Sequence, residues 1–218
     1  MRGSNDNGSR SDMRVRIKAT ATDLLIRKGF RGTSYGDIAS SLKITTTNIH
    51  YHFGPKQRLV EEVVREYVDA TLVNHKKIWL HPDASLAQKL VSVVGYNNER
   101  YRKFNRGGTG GRPWSLIGRL RLDADVLSEP AKAALSDFTT QLHGFVLAAV
   151  QSARDKGELR AESPVEDIAF LITNMVTTSA TFTQDTGSFQ SLVDLFQVVS
   201  RLLTSAYAPQ SSRMRQPK

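Results

Sequence analysis

The side chains best suited to specific hydrogen bonding lie in one short segment, Thr45 to His52. Compact polar groups come first and longer ones follow: Thr45, Thr46, Thr47 and Asn48, then His50, Tyr51 and His52. Ile49 and Phe53 are four residues apart, so on a helix they share a face that can pack against Ile38 and Leu42. The major groove of DNA, about 12 Å wide, admits one α-helix. The pattern therefore predicts a helix that meets base edges near its start and phosphates further along.

Two plainer interpretations remain for this segment. Helix starts rich in Thr and Asn often serve only as caps, and Tyr51 could be half-buried packing. A metal site is a weak interpretation, because His50 and His52 are two residues apart and point to different faces of a helix.

A second helix must hold the first in place. Ser34 with Asp37 three residues later is typical of a capping box and predicts a helix that ends near Leu42, before a turn at Lys43-Ile44. Thr33, Ser34 and Tyr35 place hydroxyls and free backbone N–H groups at its start, which favours phosphate binding. Lys56 has the corresponding position on the helix that follows Gly54-Pro55. Together the elements predict a helix-turn-helix.

Charge supports a nucleic-acid partner. Residues 1–60 contain 11 Lys and Arg against 4 Asp and Glu, whereas residues 61–205 contain 16 against 17. A basic N-terminal part on a neutral body is typical of phosphate binding. A merely solvated basic surface is the alternative.

Several chemistries are disfavoured by composition. Cysteine is absent, which excludes disulfides, thiolate metal sites and a cysteine nucleophile. The Gly107–Gly111 loop lacks the spacing of a phosphate-binding loop. No convergent acid–base set is visible, so an enzyme or carrier with an incidentally basic N-terminus is the disfavoured rival. We predict no metal and no cofactor.

The chain as a whole predicts an all-α fold of about nine helices. We expect a disordered arm at 1–11, a helix-turn-helix domain at 12–60, a linking helix at 56–80, a second domain at 81–207 and a disordered tail at 208–218. Ser163, Pro164 and Glu166 predict a capped helix start. The longest apolar run, Phe145–Val150, is too short for a membrane span. We therefore expect a soluble cytoplasmic protein without a membrane partner.

The last two long helices are apolar on more than one face. The apolar residues of these helices are Ile168, Phe170, Leu171, Ile172, Met175 and Phe182 on the first, and Phe189, Leu192, Val193, Leu195, Phe196, Val198, Val199, Leu202 and Leu203 on the second. A second stripe needs another partner. A subunit interface is our preferred explanation, and deep burial within the same domain is the alternative.

These motifs resemble the DNA-binding domain of the TetR family of bacterial regulators. The similarity extends from Gly29-Phe30 to Leu59 and includes the following positions: Gly32-Thr33-Ser34, Asp37-Ile38-Ala39, Ile44-Thr45, Ile49 to Phe53, and Lys56. Two positions differ from the family pattern in the turn, where Leu42 and Lys43 replace a small residue and Gly. A non-glycine residue at positive φ costs roughly 1 kcal/mol. Thr47 and His50 also depart from the usual residues, which bears on the DNA sequence that is read.

The resemblance implies a homodimeric repressor that binds a pseudo-palindromic double-stranded DNA operator and is released by a small-molecule effector. It implies dimerisation through the last two long helices and an effector pocket in the C-terminal domain. The balanced charge there suggests an apolar or amphipathic effector. Candidate pocket residues are Asn97, Tyr101, Trp114, Phe138, His143, Asn174, Thr178 and Phe182, each of which could instead be ordinary core. An activator or a nucleoid factor is the remaining variant of the DNA-binding hypothesis.

Overall fold

The computed structural model describes residues 4–106 and 110–209, with side chains from Arg10 onward. Within them the chain is all-α, as predicted, with nine α-helices and one short 3-10 helix. The α-helices are α1 Ser4–Lys28, α2 Tyr35–Leu42, α3 Thr46–Phe53, α4 Lys56–Trp79, α5 Leu86–Phe104, α6 Leu116–Arg121, α7 Glu129–Asp155, α8 Val165–Thr186 and α9 Phe189–Tyr207. The 3-10 helix, Ala124–Val126, follows α6 and was not predicted.

Most helix starts are capped as the sequence indicates. Ser34 and Asp37 form a reciprocal capping box on α2, and Ser85 and Gln88 form another on α5. The Thr45 side chain accepts a hydrogen bond from the Asn48 backbone N–H and caps α3. These contacts satisfy N–H groups that helices leave without an internal partner, so they fix where each helix begins.

Two predicted element starts are wrong. The capping box at α8 does not form: Pro164, which has no side-chain cap, precedes the helix, and the buried Ser163 hydroxyl has no hydrogen-bond partner among the described residues. The arm expected to be disordered at 1–11 is helical from Ser4, as part of α1. Once a helix exists, each added residue gains one hydrogen bond at little cost, so polar residues can extend it. The first three residues and residues 210–218 of the predicted tail lie outside the described part of the chain.

The described chain separates into two compact units. The N-terminal unit contains the chain up to Asp69 together with Pro113–Ser136, and the C-terminal unit contains Ala70–Arg112 and the chain from Asp137. The division falls inside α4 rather than at residue 81, and it places α6 with the helix-turn-helix. The physical reason is that α6 packs against α1.

The core of the N-terminal unit forms between α1, α2, α3 and the first half of α4. Fully buried apolar residues from each helix fill it: Ile17, Leu25 and Ile26, Ile38, Ile49, and Leu59 and Val64. Burying each such side chain contributes roughly 1.5–3 kcal/mol. This packing gives the two short helices α2 and α3, which are too short to be stable alone, a fixed orientation.

In the C-terminal unit, α5 and α8 pack against α9. The Tyr101 and Phe189 rings meet with centroids 5.1 Å apart, and the Tyr101 hydroxyl donates to the Gly110 carbonyl at 2.6 Å. Across residues 4–106 and 110–209, none of the helices combines the length and the apolarity that crossing a bilayer requires.

Candidate nucleic-acid interface and effector region

Helix α3 is held in the N-terminal unit by two apolar residues on one face. Ile49 is 0% and Phe53 is 4% exposed. The Arg14 guanidinium lies 4.3 Å from the centre of the Phe53 ring and donates to the His52 carbonyl and to Glu62. The anchoring face predicted from the spacing of Ile49 and Phe53 is therefore present.

The opposite face of α3 is presented to solvent. Thr46, Thr47, His50 and Tyr51 are exposed, and Tyr51 keeps 66% of its surface. The Asn48 side-chain oxygen is buried without a hydrogen-bond partner among the described residues. Thr45 is exposed, but its hydroxyl oxygen is already used by the helix cap. Polar side chains that are exposed on a rigid helix can enter a DNA groove and contact base edges without a change in the fold.

Tyr35 has a structural role that the sequence did not reveal. Its hydroxyl donates to the Gly54 carbonyl at 3.0 Å, and its ring packs edge-on against His50 at 4.7 Å. His50 Nδ1 lies 3.1 Å from the same Gly54 oxygen. Burial raises the pKa of Tyr35 to about 12. The Tyr35 hydroxyl thus joins α2 to the turn after α3, and its contact with phosphate stays a prediction.

Thr33 and Lys56 are also used inside the N-terminal unit. Thr33 is 2% exposed and donates to the Gly29 carbonyl at 2.8 Å. The Lys56 ammonium donates to the Phe30 and Thr33 carbonyls at 2.8 and 2.9 Å and lies 3.9 Å from the Phe30 ring centre. Burial lowers the pKa of Lys56. Both side chains therefore have hydrogen-bond acceptors in and next to the loop between α1 and α2, and their contacts with phosphate stay predictions.

The start of α2 remains a candidate phosphate site through its backbone. Ser34 is exposed and shares its hydroxyl with Asp37, whose carboxylate also pairs with Lys28 at 2.7 Å. These hydrogen bonds hold the pKa of Asp37 well below its usual range. Among the described residues, the backbone N–H groups of Tyr35 and Gly36 have no hydrogen-bond acceptor. Free N–H groups at a helix start favour an anion.

His52 is turned toward the protein rather than outward. It is partly buried between the Tyr51 and Phe53 rings, and burial, followed by the nearby Arg10 and Arg14 charges, lowers its pKa. A long side chain reaching a phosphate was the expectation. The structure gives the imidazole a packing position, and its contact with phosphate stays a prediction.

Two basic residues near α3 were not among the predicted DNA contacts: Arg10, which contacts the exposed Tyr51, and Lys43, in the turn that precedes α3. Arg10 lies 4.8 Å from the Tyr51 ring centre, in a segment expected to be disordered. Lys43 is exposed in the turn between α2 and α3, with φ 55° and ψ 46°. Lys43 therefore adopts the left-handed backbone conformation that the family's glycine would adopt in this turn, and it adds a positive charge there.

The predicted effector residues do not form one group. Trp114 belongs to the N-terminal unit, and the others belong to the C-terminal unit. Asn97, Tyr101 and Phe138 are buried, Phe182 is partly buried, and His143 lies 3.2 Å from the Thr173 hydroxyl. Asn174 and Thr178 are exposed, and their side chains donate to carbonyls within α8. These two side chains face solvent in the described chain, and their part in effector binding stays a prediction.

Buried polar atoms without partners occur elsewhere in the C-terminal unit. His75 Nδ1, Trp79 Nε1 and Asn97 Nδ2 have no hydrogen-bond partner in the described part of the chain. Only Asn97 was predicted, because His75 and Trp79 lie on α4, which sequence reasoning treated as a linker. Among residues 4–106 and 110–209, no set of three or more His, Asp or Glu side chains is placed to hold a metal ion.

The two-faced apolar pattern of α8 and α9 leaves a solvent-exposed stripe on each helix. Phe170 is 67% and Leu171 45% exposed on α8; Val198 is 41% and Leu202 61% exposed on α9. Deep burial in the same chain, the alternative explanation for these residues, is therefore excluded.

Comparison with known proteins agrees with this geometry. Residues 17–63 match the family model for bacterial regulatory proteins of the tetR family. The HTH-type transcriptional repressor KstR2 of Mycolicibacterium smegmatis is 31% identical over 85 residues, which is 39% of this chain and 40% of that protein. The biofilm operon icaADBC HTH-type negative transcriptional regulator IcaR of Staphylococcus epidermidis is 27% identical over 135 residues, 60% of this chain and 65% of that protein. The matches thus span less than two thirds of these curated relatives.

A solved structure extends the likeness to the whole fold. A TetR-family transcriptional regulator from Agrobacterium tumefaciens superposes with a TM-score of 0.76 at 18% identity, covering 92% of this chain and 100% of that one. The N-terminal unit has a helix pair with one anchored face and one exposed polar face, which defines a helix-turn-helix domain. Residues 17–63 thus match the tetR family of bacterial regulatory proteins, and the described chain has a fold similar to that of a TetR-family regulator.

Proposed function

We propose that the protein is a homodimeric repressor that binds a pseudo-palindromic operator and is released from it by a small molecule. The observation that carries the proposal is the exposed polar face of α3, which the buried Ile49 and Phe53 hold rigidly. Repression, rather than activation, is supported by the names of the relatives, KstR2 and IcaR, which are a repressor and a negative regulator. Binding a chromosomal operator also requires a cytoplasmic location.

The dimer is supported by the exposed apolar stripes of α8 and α9. Contiguous exposed apolar surface marks an interaction site more often than a free surface. A twofold pairing of such stripes would make the same patch self-complementary. A dimer would then present two α3 helices to successive major grooves, roughly 34 Å apart.

We expect the effector to release the dimer from DNA by shifting the population between two dimer states. An effector that binds one state better moves the population toward that state by its difference in affinity. Since α4 runs unbroken from Lys56 to Trp79, it is the element through which we expect the effect to pass.

The experiment is a gel-shift titration with DNA from upstream of the protein's own gene. Tyr51→Ala should weaken specific binding about tenfold or more, a loss of ~1.4 kcal/mol or more. Tyr207→Ala is the matched control, since Tyr207 also contacts an arginine, Arg160, with the guanidinium 6.0 Å from the ring centre, but lies at the end of α9. Binding should fall steeply as salt increases. Equal affinity of the two variants would reject α3 as the reading helix.

A further inference from the structure

The second half of α4 carries buried polar side chains where a core helix is normally apolar. Thr71, His75 and Trp79 are 5%, 2% and 0% exposed. They are four residues apart, so they form one row on one face of the helix. All three belong to the C-terminal unit.

Helix α5 supplies two polar residues opposite this row. The Arg100 guanidinium donates to the Tyr96 hydroxyl at 2.6 Å and to the Thr71 hydroxyl at 3.4 Å. The His75 ring packs edge-on against Tyr96, with centroids 5.5 Å apart. We call Thr71, His75, Trp79, Tyr96 and Arg100 the α4–α5 polar cluster. Phe138 of α7 also packs edge-on against His75, with ring centroids 5.9 Å apart, and adds an apolar ring to the surroundings of the cluster.

Two nitrogen atoms of the cluster are buried without a hydrogen-bond partner among the described residues. These atoms are His75 Nδ1 and Trp79 Nε1. Asn97, the residue after Tyr96, has a side-chain nitrogen, Nδ2, that is also buried without a hydrogen-bond partner among the described residues. Leaving such a group unpaired costs about 1–3 kcal/mol, and native proteins rarely do so without a reason. The indole N–H and the amide NH₂ can only donate. Trp79 Nε1 and Asn97 Nδ2 therefore lack an acceptor, and His75 Nδ1 lacks one in the tautomer that carries its proton on that nitrogen.

The charge of the cluster points the same way. Burial lowers the pKa of Arg100 to about 10, so its guanidinium is still protonated at neutral pH. Burial lowers the pKa of His75 to about 4, so its imidazole is neutral there. A neutral or anionic acceptor oxygen would be attracted by the guanidinium, whereas an ammonium group would be repelled.

We propose that the α4–α5 polar cluster binds the polar end of the effector, and that this end is an acceptor oxygen of a carbonyl or carboxylate on an apolar body. The inference rests on the proposed function, because it presumes that the regulator responds to a small molecule. The aromatic rings of Tyr96 and Phe138 contact the apolar body, and the donors of His75, Trp79 and Arg100 select the oxygen.

The test uses matched probes that differ only at the polar end. Decanoate is compared with decylamine, 4-phenylbutyrate with 4-phenylbutylamine, and decan-2-one provides a neutral acceptor. Thermal unfolding of the full-length protein without DNA is followed as each probe is added. At least one acceptor probe should raise the melting temperature in a saturable way, and its amine partner should not. Equal shifts with acids and amines, or no shift with any acceptor probe, would overturn the proposal.

A double variant, His75→Leu with Trp79→Phe, removes both unpaired nitrogen atoms while keeping apolar volume. It should melt no lower than the wild type without probe, and it should bind the effective probe about tenfold more weakly or worse, a loss of ~1.4 kcal/mol or more. His81→Leu, at an exposed histidine just beyond α4, is the control and should bind as the wild type does. Undiminished probe binding by the folded double variant, checked by circular dichroism, would also overturn the proposal.

Failure of the cluster and failure of the proposed function give different results. If the probe binds through the cluster but leaves DNA affinity unchanged in a gel shift, the ligand-response part of the proposed function fails and the cluster assignment stands. If the probe releases the wild type and the double variant from DNA equally well, the repressor proposal stands and the cluster assignment fails.

Discussion

The Asp123 carboxylate accepts a hydrogen bond from the Phe30 backbone N–H at 2.8 Å, across 93 residues of sequence. Asp123 is 6% exposed, and Arg31 approaches its other oxygen at 3.5 Å. A Cβ added to Gly29, whose φ is +74°, would lie 2.3 Å from the same carboxylate. The segment after α6 thus packs against the C-terminal end of α1, directly before the helix-turn-helix, and satisfies a backbone N–H group there.

Removing this contact should loosen the N-terminal unit. Asp123→Ala leaves the buried Phe30 N–H unpaired, so we expect the free energy of unfolding to fall by about 1–3 kcal/mol. Asp125→Ala, which removes only an exposed partner of Arg31, should cost less than about 1 kcal/mol. Urea denaturation followed by circular dichroism measures both. Equal losses would show that the Phe30 contact is not the one that matters.

Tyr35 allows a test of the contact between α2 and the turn after α3. Tyr35→Phe keeps the ring against His50 but removes the hydroxyl that donates to Gly54. We expect a loss of about 1 kcal/mol in unfolding free energy and faster amide exchange at the end of α3. A variant that is as stable as the wild type, with unchanged exchange, would contradict the assigned role.

Lys43 is the one non-glycine residue with positive φ in residues 4–106 and 110–209. Lys43→Gly should remove steric strain and raise the unfolding free energy by up to about 1 kcal/mol, less the entropy that glycine gains in the unfolded chain. Lys43→Ala keeps the strain and is the control for loss of charge. If alanine stabilises the protein as much as glycine does, strain is not the cause.

Acid should destabilise the protein through His75. Its pKa is about 4 when folded and 6.5 when unfolded, so below pH 6.5 the unfolded state takes up a proton that the folded state does not. Unfolding free energy should therefore decrease as the pH falls from 6.5 toward 4, by on the order of 3 kcal/mol at full effect. His75→Leu should flatten this decrease, and His81→Leu should not. Asp37, whose pKa is lowered from 3.8, contributes only at more acidic pH.

The exposed apolar stripes of α8 and α9 predict the effect of charge on assembly. Leu202→Arg and Phe170→Arg should convert a dimer into monomers in size-exclusion chromatography with light scattering, because a buried unpaired charge is costly at an interface. Val91→Arg, at a residue 72% exposed on α5, is the matched control and should leave the dimer intact. A wild type that is monomeric at all concentrations would contradict the proposed assembly.

The sequence by itself determined what depends on neighbouring residues. Helix bounds follow from periodicity and caps, so Ser34 with Asp37 marked the start of α2, and Ile49 with Phe53 marked the anchored face of α3. The cap expected at Ser163 failed because Pro164, rather than Ser163, became the residue that precedes α8.

Only the tertiary structure decided which polar groups remain available. Thr33, Tyr35 and Lys56 have types suited to phosphate, yet each donates to a backbone carbonyl that folding brings close. The sequence did not identify His75 and Trp79 as candidate ligand contacts, because they lie on a helix that was interpreted as a linker. Whether their buried nitrogen atoms find hydrogen-bond partners depends on side chains from distant parts of the chain. Periodicity assigns a side chain to a face, but its partners are set by segments far away in sequence, as Asp123 is for Phe30.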